Sequence, residues 1–482
     1  MSTKRTVVTG GHVVTMDPSQ GELPNGAVLI EDGAITAVAA DAEQFAGVDA
    51  EIVDATGGIV LPGMVDSHRH TWMALLRAIS ADQSLLQFLG NTFYGIGSLL
   101  SAEDMAAATE VGSLEALDSG ITTFLDCCDC VNSPEHARAS VAALRSSGAR
   151  TVYAYGMQAF DYKPAAFASH AERLRDARAL RSSEFTSDDP MNAMAMLLSD
   201  FGTLPFSDTA AEIRLSTELD ILVASHTGAA TTSILLRGLR ELHDHQLLRP
   251  GHLHIHCPAL STPEWRLLAD TGAKVSIAPE TELQMGMGFP PFRAAIEHGI
   301  LPGISTDTVA CGSGDLFAQM RLGLQTQRAL DNDRVHRTGT MPGTVELSVH
   351  DALTWATRGS AEAMGLGDRI GSLTVGKRAD VIVVKPRWNV VPPSHMAGTV
   401  VLQSSAADVD TVIVDGEMRK RDGRLVGVDL AGVRSRATAA LERLRTKAAA
   451  LPTHDANACL GWFAHAERMA TANFGAAYPV ER

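Results

Sequence analysis

His68 and His70 stand one residue apart at the end of an apolar run, Leu61-Pro-Gly-Met-Val-Asp-Ser-His-Arg-His70. In a β-strand side chains alternate faces, so both imidazoles point one way and Arg69 the other. Two neutral nitrogen donors converging at the C-terminal end of an apolar strand form the floor of a site for a divalent cation, Zn²⁺ being the usual occupant. Further chemistry-bearing residues stand at the ends of other short apolar runs: His226, His256, Glu280 and Asp307. Three imidazoles and one carboxylate around a single cavity make a donor set of borderline hardness, suited to Zn²⁺ first and Fe²⁺ second. An open position on such an ion holds a water whose pKa falls from about 15.7 towards about 7, which gives a hydroxide nucleophile at neutral pH. The chemistry expected is attack on an electrophilic carbon.

Those residues need a frame that brings distant strand ends together. Between residues 58 and 330 the chain repeats one rhythm, a short apolar or β-branched run, a polar or Gly break, then a segment of helical period. Eight such runs span 58–70, 121–128, 150–157, 191–200, 220–228, 251–258, 274–280 and 301–308, with helical segments such as 133–147, 232–243, 262–271 and 291–299 between them. Eight alternating units in about 250 residues are the content of a closed α/β TIM barrel, (β/α)8, whose active sites lie at the C-terminal strand ends. A doubly wound open sheet is the alternative. Against it stand the lack of a Gly-rich phosphate fingerprint after the first strand and the polar residues that end nearly every strand.

Residues 1–60 have another texture, short β runs broken by turn dipeptides, and it returns at 371–384 and 409–418. This predicts a small β-sandwich built from both chain ends (1–60 and 371–429) around a barrel at 61–370, followed by a helix and tail at 430–482. The aromatic residues of the tail, Trp462, Phe463, Phe474 and Tyr478, can close the site, bind a second subunit or cover the barrel.

A formal net charge of −16 over 482 residues argues against nucleic acid and anionic membrane as partners. No apolar run reaches transmembrane length, and Met1-Ser-Thr-Lys-Arg-Thr-Val-Val lacks the apolar core of a secretory signal. Six scattered cysteines form no disulfide framework. Together these predict a cytoplasmic protein with a small-molecule substrate. The Cys127-Cys128-Asp129-Cys130 cluster has no partner motif at zinc-finger spacing and reads as buried thiols at a strand end.

The combination of Leu61-Pro-Gly-Met-Val-Asp-Ser-His-Arg-His70, Ser119-Gly-Ile-Thr-Thr-Phe-Leu-Asp126, His226, His256, Ser305-Thr-Asp307 and Ser372-Leu-Thr-Val-Gly-Lys-Arg-Ala-Asp-Val-Ile-Val-Val384 resembles the amidohydrolase superfamily. Within it the chain is most similar to the cytosine deaminase and triazine hydrolase-like (chlorohydrolase) branch, over residues 5–425. The resemblance implies His68, His70, His226 and Asp307 as ligands of one metal. It implies that His256 polarises the substrate or orients the hydroxide, and that Asp307 also relays the water's proton. The fourth strand has no Lys to carry a bridging carboxylate, so a single metal is expected. It further implies a homodimer or larger homo-oligomer and a metal-dependent hydrolase acting on a non-peptide C–N bond of a cyclic or heteroaromatic compound, deamination first.

One departure stands out. Deaminases of this branch carry Glu three residues after the fifth-strand His, as a proton shuttle, and here that position is Ala229. Glu280 and Glu282 are the nearest substitutes. Glu280 is expected to face the cavity and shuttle protons or pair with a basic substrate, while Trp72, Glu282 and Gln284 are expected to bind substrate. The stretch Gln284-Met-Gly-Met-Gly-Phe reads as a Met-lined wall for a planar ligand. His252, His254 and His256 share a face by period-two counting, and His256, the last, is the one assigned to the site. Without the Glu, hydrolysis of a cyclic amide, displacement of a ring halide, or a lyase or isomerase reaction on the same scaffold stays open.

Overall fold

A computed structural model describes residues 4–186, 189–229, 238–390, 394–452 and 461. Eight parallel strands follow one another in chain order around a barrel: β1 Met64–Arg69, β2 Ile121–Cys128, β3 Arg150–Gly156, β4 Asn192–Leu197, β5 Leu222–Thr227, β6 Leu253–His256, β7 Lys274–Ile277 and β8 Gly303–Ile304. The ring closes just beyond β8. The Asp307 amide donates to the His68 carbonyl at 3.0 Å and the His70 amide donates to the Asp307 carbonyl at 2.8 Å. These strands are rich in apolar residues because side chains of both faces are buried, one face inside the barrel and one under helices, and their polar residues are buried with them. Val65, Leu125, Val152, Ala154, Leu197, Ala224, Leu253 and Ile255 form the inner cluster.

The predicted run 58–70 is two strands. Ile59–Pro62 pairs antiparallel with Val381–Val384 in a separate sheet, and the chain enters β1 only after Gly63. Gly63 lies so close to Thr122 that a Cβ there would stand 2.1 Å from its Oγ1, so the crossing from one sheet to the other needs glycine. Two sheets assembled from both chain ends, one of four strands and one of seven, enclose Val8, Val28, Ile30, Ile35, Val60, Val381, Val383 and Ile413. The run 274–280 also ends early. Pro279 occupies the first turn of a helix, Pro279–Gln284, where its fixed φ and missing N–H are tolerated.

Arg150, 2% exposed at the start of β3, ties the barrel to the small sheets. Its guanidinium donates to Asp380 at 2.9 and 3.0 Å and to Asp415 at 2.9 Å. Arg150→Met is expected to leave buried carboxylates without a counter-ion and to cost about 3–5 kcal/mol. Denaturant unfolding checks this, and an unchanged midpoint would show that Arg378 alone neutralises the cluster.

The helix predicted after residue 430 runs Leu430–Ala448 and lies on Ala102–Asp118, with Arg436 on Glu110 and Arg443 on Asp104. Of the predicted helix 232–243, Gly238–Asp244 is described, and 232–237 lie outside the described residues. The four tail aromatics do as well. Among the described residues no helix is long and apolar enough to cross a membrane.

Candidate metal centre and active-site cavity

The C-terminal strand ends open into a cavity. His70, His226, His256 and Asp307 form its floor, and His68 lies fully buried beside them. His68 reaches this face because the ladder between β1 and β2 breaks between Asp66 and Arg69, a local irregularity that re-aims the side chains there. Arg69 points outward, as its place between the two histidines predicts, and binds Glu115 at 2.8 Å and Thr306 at 3.1 Å.

Asp307 Oδ1 stands 3.1 Å from His68 Nε2 and 3.3 Å from His70 Nε2. Adjacent donors around a tetrahedral ion with bonds of about 2.0–2.1 Å are separated by about 3.3 Å. The ring centres of His68 and His226 are 5.2 Å apart and those of His70 and His226 5.5 Å. Two overlapping donor triples, His68–His70–Asp307 and His68–His226–His256, each have ligand atoms within 4.8 Å of one another.

The far side of each ring is held. His70 Nδ1 lies 2.6 Å from Asp129 Oδ2 and 3.1 Å from the Cys127 carbonyl. His226 Nδ1 lies 3.0 Å from Asp200 Oδ1, and His68 Nδ1 3.0 Å from Cys127 Sγ. A carboxylate that accepts from Nδ1–H leaves the Nε2 lone pair for a metal and raises its basicity. Burial, reinforced by the neighbouring His70, pushes His68 down to about 3, so it is neutral, as a ligand must be. Burial would lower His70 too, but Asp129 and Asp307 outweigh it and raise that ring well above its ordinary value. Burial opposes ionisation of Asp307, yet the imidazole of His68 above all holds its carboxyl well below the usual range. The pocket therefore calls for positive charge where the Nε2 atoms converge. The residues present fit a divalent ion of the Zn²⁺ class.

Asp129 and Asp200 escape the sequence reading. Each follows a barrel strand, β2 and β4, and the signal that points to them is an acid just past a strand end; Asp129 is masked by the cysteines around it. Trp72 is not in the cavity wall. Behind His70 the chain turns sharply through Thr71–Leu76, which buries Trp72 and directs its Nε1–H to Asp129 Oδ2 at 2.8 Å. Asp129→Asn is expected to weaken metal binding about 10–100-fold, because an amide holds His70 less firmly than a carboxylate. Competition against a chelator of known affinity measures this.

The residues after β7 need three corrections. Glu280 does not face the cavity. The helix that starts at Pro279 turns it to the loop after β8, where Oε2 accepts from Ser313 N and Oγ at 2.8 Å and from Gln319 Nε2 at 2.7 Å. Gln284 is exposed and donates to the Ala81 carbonyl instead of lining the pocket. Glu282 is fully buried behind His256 and has no surface for substrate. Its Oε1 accepts from Ala278 N at 2.9 Å and from His256 Nδ1 at 3.3 Å. Met285 and Met287 do line the cavity, as expected of that stretch.

His256 does not share a face with His252 and His254. Leu253 and Ile255 fill the barrel interior, so the two earlier histidines point outward, onto Ser225 and Thr227 at 2.9 Å. A φ of +76° at His256, followed by +67° at Cys257, breaks the alternation and swings the last ring inward. Most of the remaining wall is apolar, with Leu85, Phe88, Leu89, Phe93 and Tyr94 from one helical segment between β1 and β2 and Phe201 after β4, while Asp200, Thr203 and Thr281 add polar groups. Ala229 lies in the wall beside His226.

The sequence profile of the amidohydrolase family matches residues 59–419. A 5-methylthioadenosine/S-adenosylhomocysteine deaminase of Bacillus cereus (strain AH820) is 28% identical over 427 residues, which cover 86% of this chain and 93% of that one. An adenosine deaminase from Xanthomonas campestris solved with bound zinc superposes with a TM-score of 0.82 at 25% identity, covering 92% of this chain and 98% of its own. The atrazine chlorohydrolase of Arthrobacter aurescens TC1, complexed with zinc, has the same fold at a TM-score of 0.77 and 22% identity, over 90% of this chain and all of its own.

Proposed function

This chain belongs to the amidohydrolase family, and within it we propose a single-metal hydrolase that removes an amino group from a small heteroaromatic compound. The observation that carries the reading is the buried Asp307 carboxylate, 3.1 and 3.3 Å from two imidazoles at the floor of an open cavity. His68, His70, His226 and Asp307 would hold the ion, zinc before iron, in keeping with the zinc of the two solved relatives. When bound, such an ion supplies Lewis-acid chemistry, acidifying water and polarising the carbon under attack. Asp307 takes the proton that the attacking water loses. His256, turned into the cavity, stands 3.8 Å from Asp307 Oδ2 and meets the departing group. Phe88, Phe93, Leu89, Met285 and Met287 exclude bulk water and offer flat apolar contact to a ring.

The names of the relatives favour a purine-like amine, with a nucleoside of the thioether type as the first compound to try. The free thiols Cys127, Cys128, Cys130, Cys257 and Cys311 support a reducing, cytoplasmic setting, and the family resemblance supports a homo-oligomer. A second reading, opening of a cyclic amide or displacement of a ring halide, is favoured by the methyl group of Ala229 in the wall beside His226. The zinc-loaded protein is tested for ammonia release against amino-purines and their nucleosides, amino-pyrimidines, pterins and amino-triazines. Ammonia release supports the deaminase. A hydrated product without ammonia, or free halide, supports the second reading, and a product of unchanged mass would replace both with an isomerase.

A further inference from the structure

We infer that Glu282 is a positioning residue for proton transfer, fixing the ring of His256 so that its Nε2 carries a proton from the attacking water to the leaving amine. The inference rests on the amine-releasing reading above and goes beyond it in naming how the leaving group acquires its proton.

The cavity offers few groups for this task. His70 and His226 turn Nε2 towards the metal position with Nδ1 fixed by Asp129 and Asp200. Tyr94 accepts from Gln158 Nε2 at 2.8 Å, and burial pushes its hydroxyl far above the ordinary range, so it keeps its proton. His256 remains. Its backbone adopts a φ of +76°, a conformation uncommon for a non-glycine residue, and this turns the ring into the cavity. On its far side Nδ1 stands 3.3 Å from Glu282 Oε1. With the Nδ1 proton donated to that carboxylate, the Nε2 lone pair faces the cavity as an acceptor.

Glu282 is 0% exposed, and its Oε2 finds no hydrogen-bond partner among the described residues. A buried oxygen left unpaired destabilises the fold, which a merely structural role for this side chain does not explain. A leucine would fill the same space without that cost. In the wall beside His226, Ala229 presents only a methyl group, and the carboxylate of Asp200 is engaged by His226 Nδ1 at 3.0 Å.

The oxygen of water bonds to the ring carbon, and the carbon–nitrogen bond breaks. One proton of the water passes by way of Asp307 to His256 Nε2 and on to the departing nitrogen. That nitrogen leaves as ammonia with its own two hydrogens and the new one. The second proton of the water stays on the product as a hydroxyl or its keto tautomer.

Glu282→Gln keeps an oxygen that can accept from Nδ1 but removes the charge. It is expected to lower kcat about 10²-fold, with KM and metal content unchanged. Adding Ala229→Glu, which places a carboxyl in the same cavity, is expected to recover at least about tenfold of that loss. Independently of turnover, the ¹⁵N spectrum of histidine-labelled protein, with His256 assigned through His256→Asn, should show the proton on Nδ1 in the wild type and not in Glu282→Leu. Wild-type kcat in Glu282→Gln, no recovery from Ala229→Glu, or a ring unchanged in Glu282→Leu would each overturn the inference. If the wild type releases ammonia from no compound, the functional reading fails instead, and the nitrogen spectrum still decides the role of Glu282.

Discussion

Asp307→Asn is expected to lower kcat/KM by about 10⁴-fold at saturating zinc, the upper end of what a proton-transferring group contributes and about 5.4 kcal/mol of transition-state stabilisation. The size follows from two duties carried by one side chain. Asp307 is buried between His68 and His70 and close to His256, so it is placed both to hold the ion and to receive the proton of the attacking water. Asparagine keeps an oxygen for the first duty and has no basicity for the second. Metal analysis beside steady-state kinetics separates the two, because added zinc restores occupancy but not turnover. Wild-type kcat/KM in the zinc-saturated variant would remove Asp307 from the reaction.

The second large effect concerns His256. His256→Asn is expected to reduce kcat about 10³-fold while the protein retains about one metal per chain. The reason is geometric. His256 Nε2 lies 3.8 Å from Asp307, farther than His68 or His70, and its other nitrogen is committed to a carboxylate that belongs to no other ring. It nevertheless falls within one of the two donor triples, with His68 and His226. Loss of metal in His256→Asn would make His256 a ligand and would move the proton-carrying task to Asp307 alone.

Much of the scaffold was legible because periodicity reports burial. Strands β2 and β3 read true from continuous apolar runs, and His68, His70, His226 and Asp307 fall at strand ends that the barrel then brings together. What could not be read depends on single backbone events. One glycine divides the first run between two sheets, and one proline starts a helix three residues before Glu282, turning Glu280 away from the cavity and Glu282 towards His256. The left-handed backbone at His256 reverses a face that period-two counting assigns to three histidines. Asp129 and Asp200 act through other rings, and their one local mark is an acid just past a strand end. The helical segment that builds the wall, Leu85–Ile96, mixes buried and half-buried residues with no clean stripe, which hides it from pattern reading.

The seam of the barrel runs through the proposed metal-binding pair itself. His68 and Asp307 are 239 positions apart in sequence, yet their main chains and their side chains both meet there. A ribosome-bound chain that has not yet emitted residue 307 lacks the last stave, so it holds no site, however well its first seven staves have formed. With an ion held at the proposed site, amide protons along this join should exchange last in the loaded protein and early in the stripped one.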